Sequence, residues 1–292
     1  MLIDLAIIAI LCFAPLARGS NQPWAMGLLG ILALIALAGR LLWDAWRGPL
    51  SIVRSWFWAP LFLFLGCVGL QIFLPRPALG VPPSYPHTVE RYSTALYFIL
   101  ALSYAAIAFI VASSFRSRSR VKFLVLAILA LGVFEALYGL IQYLGGWGYI
   151  WNYPVSSDYA RGTFTNRNHY ALVLNLTIST GVGYLYYRSM RLLGGRNLTI
   201  RHVLGSPGSG QLAWVLLWIS LIGLAVVFSM SRMGIAAMFA SVAMMVIVGK
   251  AAETKRRTTV LGAGLLIVVV SLALYTGIDA VLARYESLAE AG

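Results

Sequence analysis

The chain of 292 residues has a formal net charge of +13, yet only 11% of its residues are charged and 60% are hydrophobic, with a mean hydropathy of +0.84. So little polar surface excludes a soluble globular domain, and apolar runs recurring along the whole length point to a membrane protein. The positive charge sits in short connections between those runs, so membrane orientation accounts for it and no nucleic-acid partner is implied.

A spanning helix needs about 20 apolar residues. On that measure the sequence predicts about nine transmembrane helices, over 2–16, 24–42, 56–75, 93–115, 121–143, 168–188, 211–229, 232–249 and 258–276. The expected fold class is all-α, a polytopic membrane helix bundle forming a single transmembrane domain over 1–292, with 277–292 as the start of an external loop. The first run carries Asp4 and no basic residue, unlike the basic start of a signal peptide, and reads as a retained helix. Cys12 and Cys67 fall inside apolar runs without metal-ligand spacing, which reads as two small buried hydrophobes and no disulfide.

The connections alternate in charge. Arg40, Arg47 and Arg54 fall in or beside one; Arg116, Arg118, Arg120 and Lys122 in the next but one; then Arg188, Arg191, Arg196 and Arg201; then Lys250, Lys255, Arg256 and Arg257. The positive-inside rule therefore predicts a cytoplasmic N-terminus and a periplasmic or external C-terminus. Trp24, Trp43, Trp46, Trp56, Trp58 and Trp214 cluster near predicted helix ends as an interfacial belt. Trp147 and Trp151 lie in the same external loop as Arg161 and are minor candidates for packing against sugar rings.

Within the fifth run, Glu135, Tyr138 and Gln142 are spaced i, i+3 and i+7 and share one helix face. An acidic residue inside a span faces the bundle interior and marks either a proton path or a hydrogen bond between helices, for instance to Gln71.

The segment RGTFTNRNHY, Arg161 to Tyr170, is the densest polar stretch of the external side, and Arg232 follows at the Ser229–Met230–Ser231 junction on the same side. Arginine on the side where positive residues are disfavoured points to a task, and guanidinium forks suit phosphate oxygens. Arg161, Arg167 and Arg232 are thus candidates for binding a lipid-linked phosphate or diphosphate, with Asn166, Asn168 and Ser231 supporting at helix starts that favour anions. His169 is a candidate base. The plainer reading is that these arginines snorkel to head groups and the asparagines merely cap a helix.

RGTFTNRNHYA before one apolar helix and FSMSRMGIAA opening another resemble the O-antigen ligase and O-antigen polymerase family of bacterial polysaccharide assembly. Many members carry Gly-Thr-Phe, Asn-X-Asn and aromatic-Ala at the first place and a Ser-X-Ser-Arg-Gly-type sequence at the second. The helix layout, including the Pro15 to Ser20 turn, is similar too. The resemblance implies a multi-pass glycosyltransferase of the bacterial inner membrane, acting in lipopolysaccharide or exopolysaccharide biosynthesis. Its donor would be an undecaprenyl-diphosphate-linked glycan and its acceptor a glycan or lipid, among membrane lipids, with no cofactor and no metal. By position Arg161 and Arg232 match the motif arginines, whereas Arg167 stands where ligases more often have proline. Members continue into a large external loop bearing a histidine and then further helices. The resemblance therefore implies that this chain is C-terminally truncated, with Arg284, Tyr285 and Leu288 at the opening of that loop, and that glycosyl transfer belongs to a form continuing beyond Gly292. Two other classes stay open: a transporter or flippase for a lipid-linked sugar, and a non-catalytic membrane partner in polysaccharide assembly.

Overall fold

The computed structural model describes residues 2–48, 55–74, 88–193 and 209–251. Eight α-helices occur there: α1 Leu2–Leu16, α2 Pro23–Arg47, α3 Trp58–Phe73, α4 Arg91–Ser114, α5 Arg118–Leu144, α6 Arg167–Leu193, α7 Ser209–Phe228 and α8 Arg232–Ala251. They occupy the first eight segments expected from the sequence; the ninth, 258–276, and the loop at 277–292 lie outside the described residues. The chain is mostly helical, and four helices, Pro23–Trp46, Arg91–Ser114, Arg118–Leu144 and Ser209–Phe228, are long and apolar enough to cross a membrane. α1 and α3 are apolar but shorter. α6 is long enough, but Asn175, Thr177, Ser179 and Thr180 make it more polar than the four.

Two compact units divide at Val121 and Lys122. In the first, α2 packs against α1 and α4, and α3 against α4. Proline at the first position of α2 starts that helix without needing the backbone donor it lacks. Gly48 ends it in a conformation with φ 141°, its N–H donating to the Asp44 carbonyl. Arg40 pairs with Asp44 at 3.1 Å and donates to Ser114 Oγ at 3.1 Å. Cys12 and Cys67 are free, as expected, but neither is fully buried: Cys12 is partly covered and Cys67 is exposed on α3. An exposed thiol among apolar neighbours is what a lipid-facing helix surface tolerates, so hydrophobicity signalled the environment of Cys67 and not its burial within protein.

In the second unit, α6 packs against both α7 and α8. Its buried residues Ala171, Leu174, Ile178, Val182 and Leu185 recur at helical spacing, while Leu172 and Leu176 stay exposed. Close approach to α5 depends on glycines. A Cβ on Gly132 would strike Thr177, and one on Gly139 would strike the Tyr170 hydroxyl and come within 3.0 Å of the Gly162 nitrogen. The core of this unit gathers Leu129, Ala136, Tyr170, Ile219, Ile222 and Phe228, all fully buried.

Candidate functional site

Between α5 and α6 the chain folds back along α5. A short hairpin, β1 Tyr149–Ile150 and β2 Tyr153–Pro154, pairs antiparallel, with Trp151 at its turn held at φ 56°. The face of α5 defined by Glu135, Tyr138 and Gln142 is what receives this loop. Gln142 Nε2 donates to the Tyr149 carbonyl at 2.8 Å, and the Trp151 N–H donates to the Tyr138 hydroxyl at 2.8 Å. Deepest of the three, both oxygens of Glu135 accept from Thr163: one from its N–H at 2.9 Å, the other from its Oγ1 at 2.6 Å. The hydroxyl of Tyr170 donates to the Glu135 carbonyl at 3.1 Å.

These contacts correct one expectation. The buried side chain that meets Glu135 is Thr163, from the loop, and not Gln71. Periodicity put the three polar residues on one face correctly, but that face holds a loop and not another helix. Glu135 lies nine residues before the end of α5, about 13 Å along the axis. The loop therefore reaches well down the helix, where irregular backbone is stable only because protein groups satisfy it.

Arg161 sits at the bottom of this loop and is fixed on both sides. Before it, the Ala160 N–H donates to the Phe228 carbonyl at 2.8 Å, tying the loop to the end of α7. After it, Gly162 turns with φ 57° and Thr163 is held by Glu135. The Arg161 side chain is only 6% exposed, its guanidinium carbon lies 4.3 Å from the centre of the Tyr159 ring, and its buried Nε has no hydrogen-bond acceptor. Arg167, partly exposed at the start of α6, places its guanidinium 4.6 Å from the same ring. Two cations thus share one aromatic ring, a cation–π arrangement that stabilises each but neutralises neither. The only carboxylate of the loop, Asp158, is exposed and accepts from Ser156 instead.

Two helix N-termini meet beside them. Asn166 caps α6, its Oδ1 accepting from the Asn168 N–H at 2.8 Å. Ser231 caps α8, its Oγ accepting from the Gly234 N–H at 3.1 Å. The same Ser231 hydroxyl donates to Asn168 Oδ1 at 2.9 Å, so Asn168 couples the two helix starts and does not cap α6 itself. Asn175 Nδ2 donates to the Gly234 carbonyl at 2.8 Å, and Ala171 lies where a side chain on Gly234 would go. The Ser231–Asn168 bond sets the backbones of Arg167 and Arg232 one residue away on either side. Arg232 itself is exposed and forms no ion pair among the described residues. His169 is exposed on the first turn of α6, with no hydrogen bond among the described residues to orient it.

Asn168→Ala is expected to remove the Ser231 acceptor and cost about 1 kcal/mol, as a typical lost hydrogen bond does. Ser231→Ala removes both that bond and the cap of α8 and is expected to cost about 2 kcal/mol. Thermal unfolding in detergent checks the order, and an Asn168→Ala loss equal to or larger than that of Ser231→Ala would contradict it.

Of the residues the sequence singled out, Arg161, Arg167, Asn166, Asn168 and Ser231 come together here, with Arg232 at the edge. Tyr159 and Thr163, which organise the arginines and the loop, carried no pattern of their own in the sequence. Trp147 and Trp151 pack around Tyr138, with ring centres at 5.2 and 5.5 Å, and Trp151 stacks on Phe134 at 6.3 Å. Both indoles remain about half exposed.

Fold and site together define a helical membrane protein with a loop that folds back along its helices and carries an arginine cluster with no ion pair among the described residues. No family model matches the chain, and neither does any curated protein or solved structure.

Proposed function

We propose that this protein is a membrane glycosyltransferase of the O-antigen ligase and polymerase type, transferring or polymerising a glycan carried on undecaprenyl diphosphate at the outer face of the bacterial inner membrane. The proposed topology is multi-pass with nine spans, a cytoplasmic N-terminus and an external C-terminus. The observation that carries the reading is the buried Nε of Arg161, without an acceptor among the described residues, beside Arg167 and two capped helix starts that no described carboxylate opposes. A guanidinium desolvated in this way is stabilised by an anion with paired oxygens, and the helix dipoles favour the same charge.

Displacement at the anomeric carbon of the donor builds negative charge on the departing diphosphate. Arginines already fixed in place stabilise that charge more in the transition state than in the ground state, without metal. Arg161 is the rigid binder, Arg167 a second cation on the same ring, and Arg232 an exposed arm able to follow the second phosphate. The acceptor hydroxyl gives its proton to a general base, for which His169 is the candidate among the described residues.

The polar stripe of α5 also bears on the transporter reading. Glu135, Tyr138 and Gln142 are all engaged in holding the loop, which favours a site at the loop over a polar path through the helices.

The test is glycan transfer from a lipid-linked donor in membranes carrying the full-length protein. Arg161→Ala is expected to lower transfer about a hundredfold, as loss of one fixed oxyanion donor does. Arg232→Ala should lower it as well, and both variants should still insert. Wild-type transfer by both would overturn the reading. Donor retention without any transfer by the unaltered protein would assign it to a non-catalytic binder.

A further inference from the structure

At the opposite end of the same unit lies a second basic cluster that the proposed reaction does not use. The first turns of α5 and α7 and the last turns of α6 border an open cavity of about 510 Å³, lined by Lys122, Arg188, Gln211, Tyr184, Trp214 and Trp218 together with aliphatic side chains. Arg188 lies 21 residues along α6 from Arg167, about 31 Å away, so the two basic sites are separate.

The Arg188 Nη2 donates to Gln211 Oε1, while its Nε is buried without an acceptor. An amide oxygen orients a guanidinium but leaves its charge in place. Lys122 adds a second positive charge at the rim, and neither forms an ion pair among the described residues. The described carboxylates of this unit, Glu135 and Asp158, are at the other end of α5 and in the loop beyond it. Tyr184, Trp214, Trp218 and the aliphatic residues make the rest of the wall apolar. Trp214 is 62% exposed, so this wall continues onto the outer surface of α7.

A ligand for such a cavity needs a phosphate-type anion to take the Arg188 fork and the Lys122 ammonium, joined to an apolar part that runs along tryptophan and aliphatic side chains. We propose that this cavity is a binding site for an anionic phospholipid, with its headgroup phosphate between Arg188 and Lys122 and an acyl chain along Trp214 and Trp218. Free phosphate satisfies only the cations and leaves the apolar wall without a partner. Basic pockets between helices at an anionic leaflet take phospholipid headgroups in this way, and tryptophan favours the headgroup level. The inference stands apart from the proposed glycosyl transfer and survives or fails independently of it.

Native mass spectrometry of the full chain in detergent tests it, with phosphatidylglycerol and phosphatidylcholine of identical acyl chains as probes. The unaltered protein is expected to retain phosphatidylglycerol about tenfold better, because phosphatidylcholine carries the same phosphate but brings a quaternary ammonium against Arg188 and Lys122, a like-charge cost of about 1.4 kcal/mol. The double variant Lys122→Gln/Arg188→Gln should lose that preference. Because Arg188 also bonds Gln211, the exposed Lys122→Gln is the second variant: it should lower phosphatidylglycerol retention severalfold with an unchanged unfolding temperature. Equal retention of the two lipids by the unaltered protein, or an undiminished preference in both variants, would overturn the proposal. So would displacement of phosphatidylglycerol by inorganic phosphate, which would make the site one for a soluble anion.

Discussion

Gly162→Ala is expected to destabilise the second unit by about 3 kcal/mol or more, and to release the loop that carries Arg161. Two independent costs add. Gly162 has φ 57°, a left-handed conformation that costs an L-residue with a Cβ about 1–2 kcal/mol. The new methyl would also strike a Glu135 carboxylate oxygen and come within 2.6 Å of Tyr170 Cε2. Neither neighbour can withdraw. Glu135 and Tyr170 are completely buried, the first held by Thr163 and the second by its hydrogen bond to the Glu135 carbonyl. Overpacking of that kind costs about 1–3 kcal/mol.

Gly146 separates the two costs. It has φ 64°, but a Cβ there meets nothing within 4 Å. Gly146→Ala should therefore show the conformational cost alone, about 1–2 kcal/mol. Thermal unfolding of both variants in detergent measures the difference. Equal losses would mean that the loop is not packed against Glu135 and Tyr170 as described. If the arginine site binds a lipid diphosphate, Gly162→Ala should also weaken that binding, whereas Gly146→Ala should leave it near wild type.

The helices were legible because their signals are local. Apolar length marked each segment, and Asn166 before α6 and Ser231 before α8 are helix starts with side-chain caps, whereas α2 runs from Pro23 to Arg47, five residues past the expected end at 42, and stops at Gly48. α6 runs to Leu193, five residues past the expected end at 188, because Tyr187 and Arg191 continue the helix with the ring and guanidinium 5.6 Å apart. Hydropathy falls there while helix propensity does not, and the sequence reading followed hydropathy.

The loop was less legible, for a physical reason. The spacing of Glu135, Tyr138 and Gln142 identifies a face, but a helical period says nothing of what the face meets. The partners are Thr163, the Trp151 N–H and the Tyr149 carbonyl, and two of those three are backbone groups with no side-chain signature. Burial of Arg161 had the same origin. Its sequence neighbourhood is polar and suggests exposure, yet Gly162 permits a turn that carries the chain inward. The arginine pattern was visible in the sequence, while the tyrosine that gathers two of those arginines was not.

Glu135→Ala is the second change with a large expected effect, and it also decides what Glu135 is for. The truncation removes the acceptor from the Thr163 N–H and from its hydroxyl, both at a buried site. Each lost partner of a buried donor costs about 1–3 kcal/mol, so a total of about 3 kcal/mol is expected. Thr163→Val removes one of the two bonds and should cost about 1–2 kcal/mol. Because the residues act on each other, the double variant should lose less than the sum of the singles by about 1 kcal/mol or more. Glu135→Gln is the informative substitution. Its amide oxygen can still accept from the Thr163 N–H, and its amide N–H can donate to the Thr163 hydroxyl oxygen, so the loop should stay docked at a cost of about 1 kcal/mol. Glutamine cannot carry a proton through the bundle. If Glu135 positions the loop, Glu135→Gln retains most of the activity and Glu135→Ala loses it together with stability. A proton path predicts that glutamine is as inactive as alanine while remaining as stable as wild type, and that result would displace the positioning role argued from the Thr163 contacts.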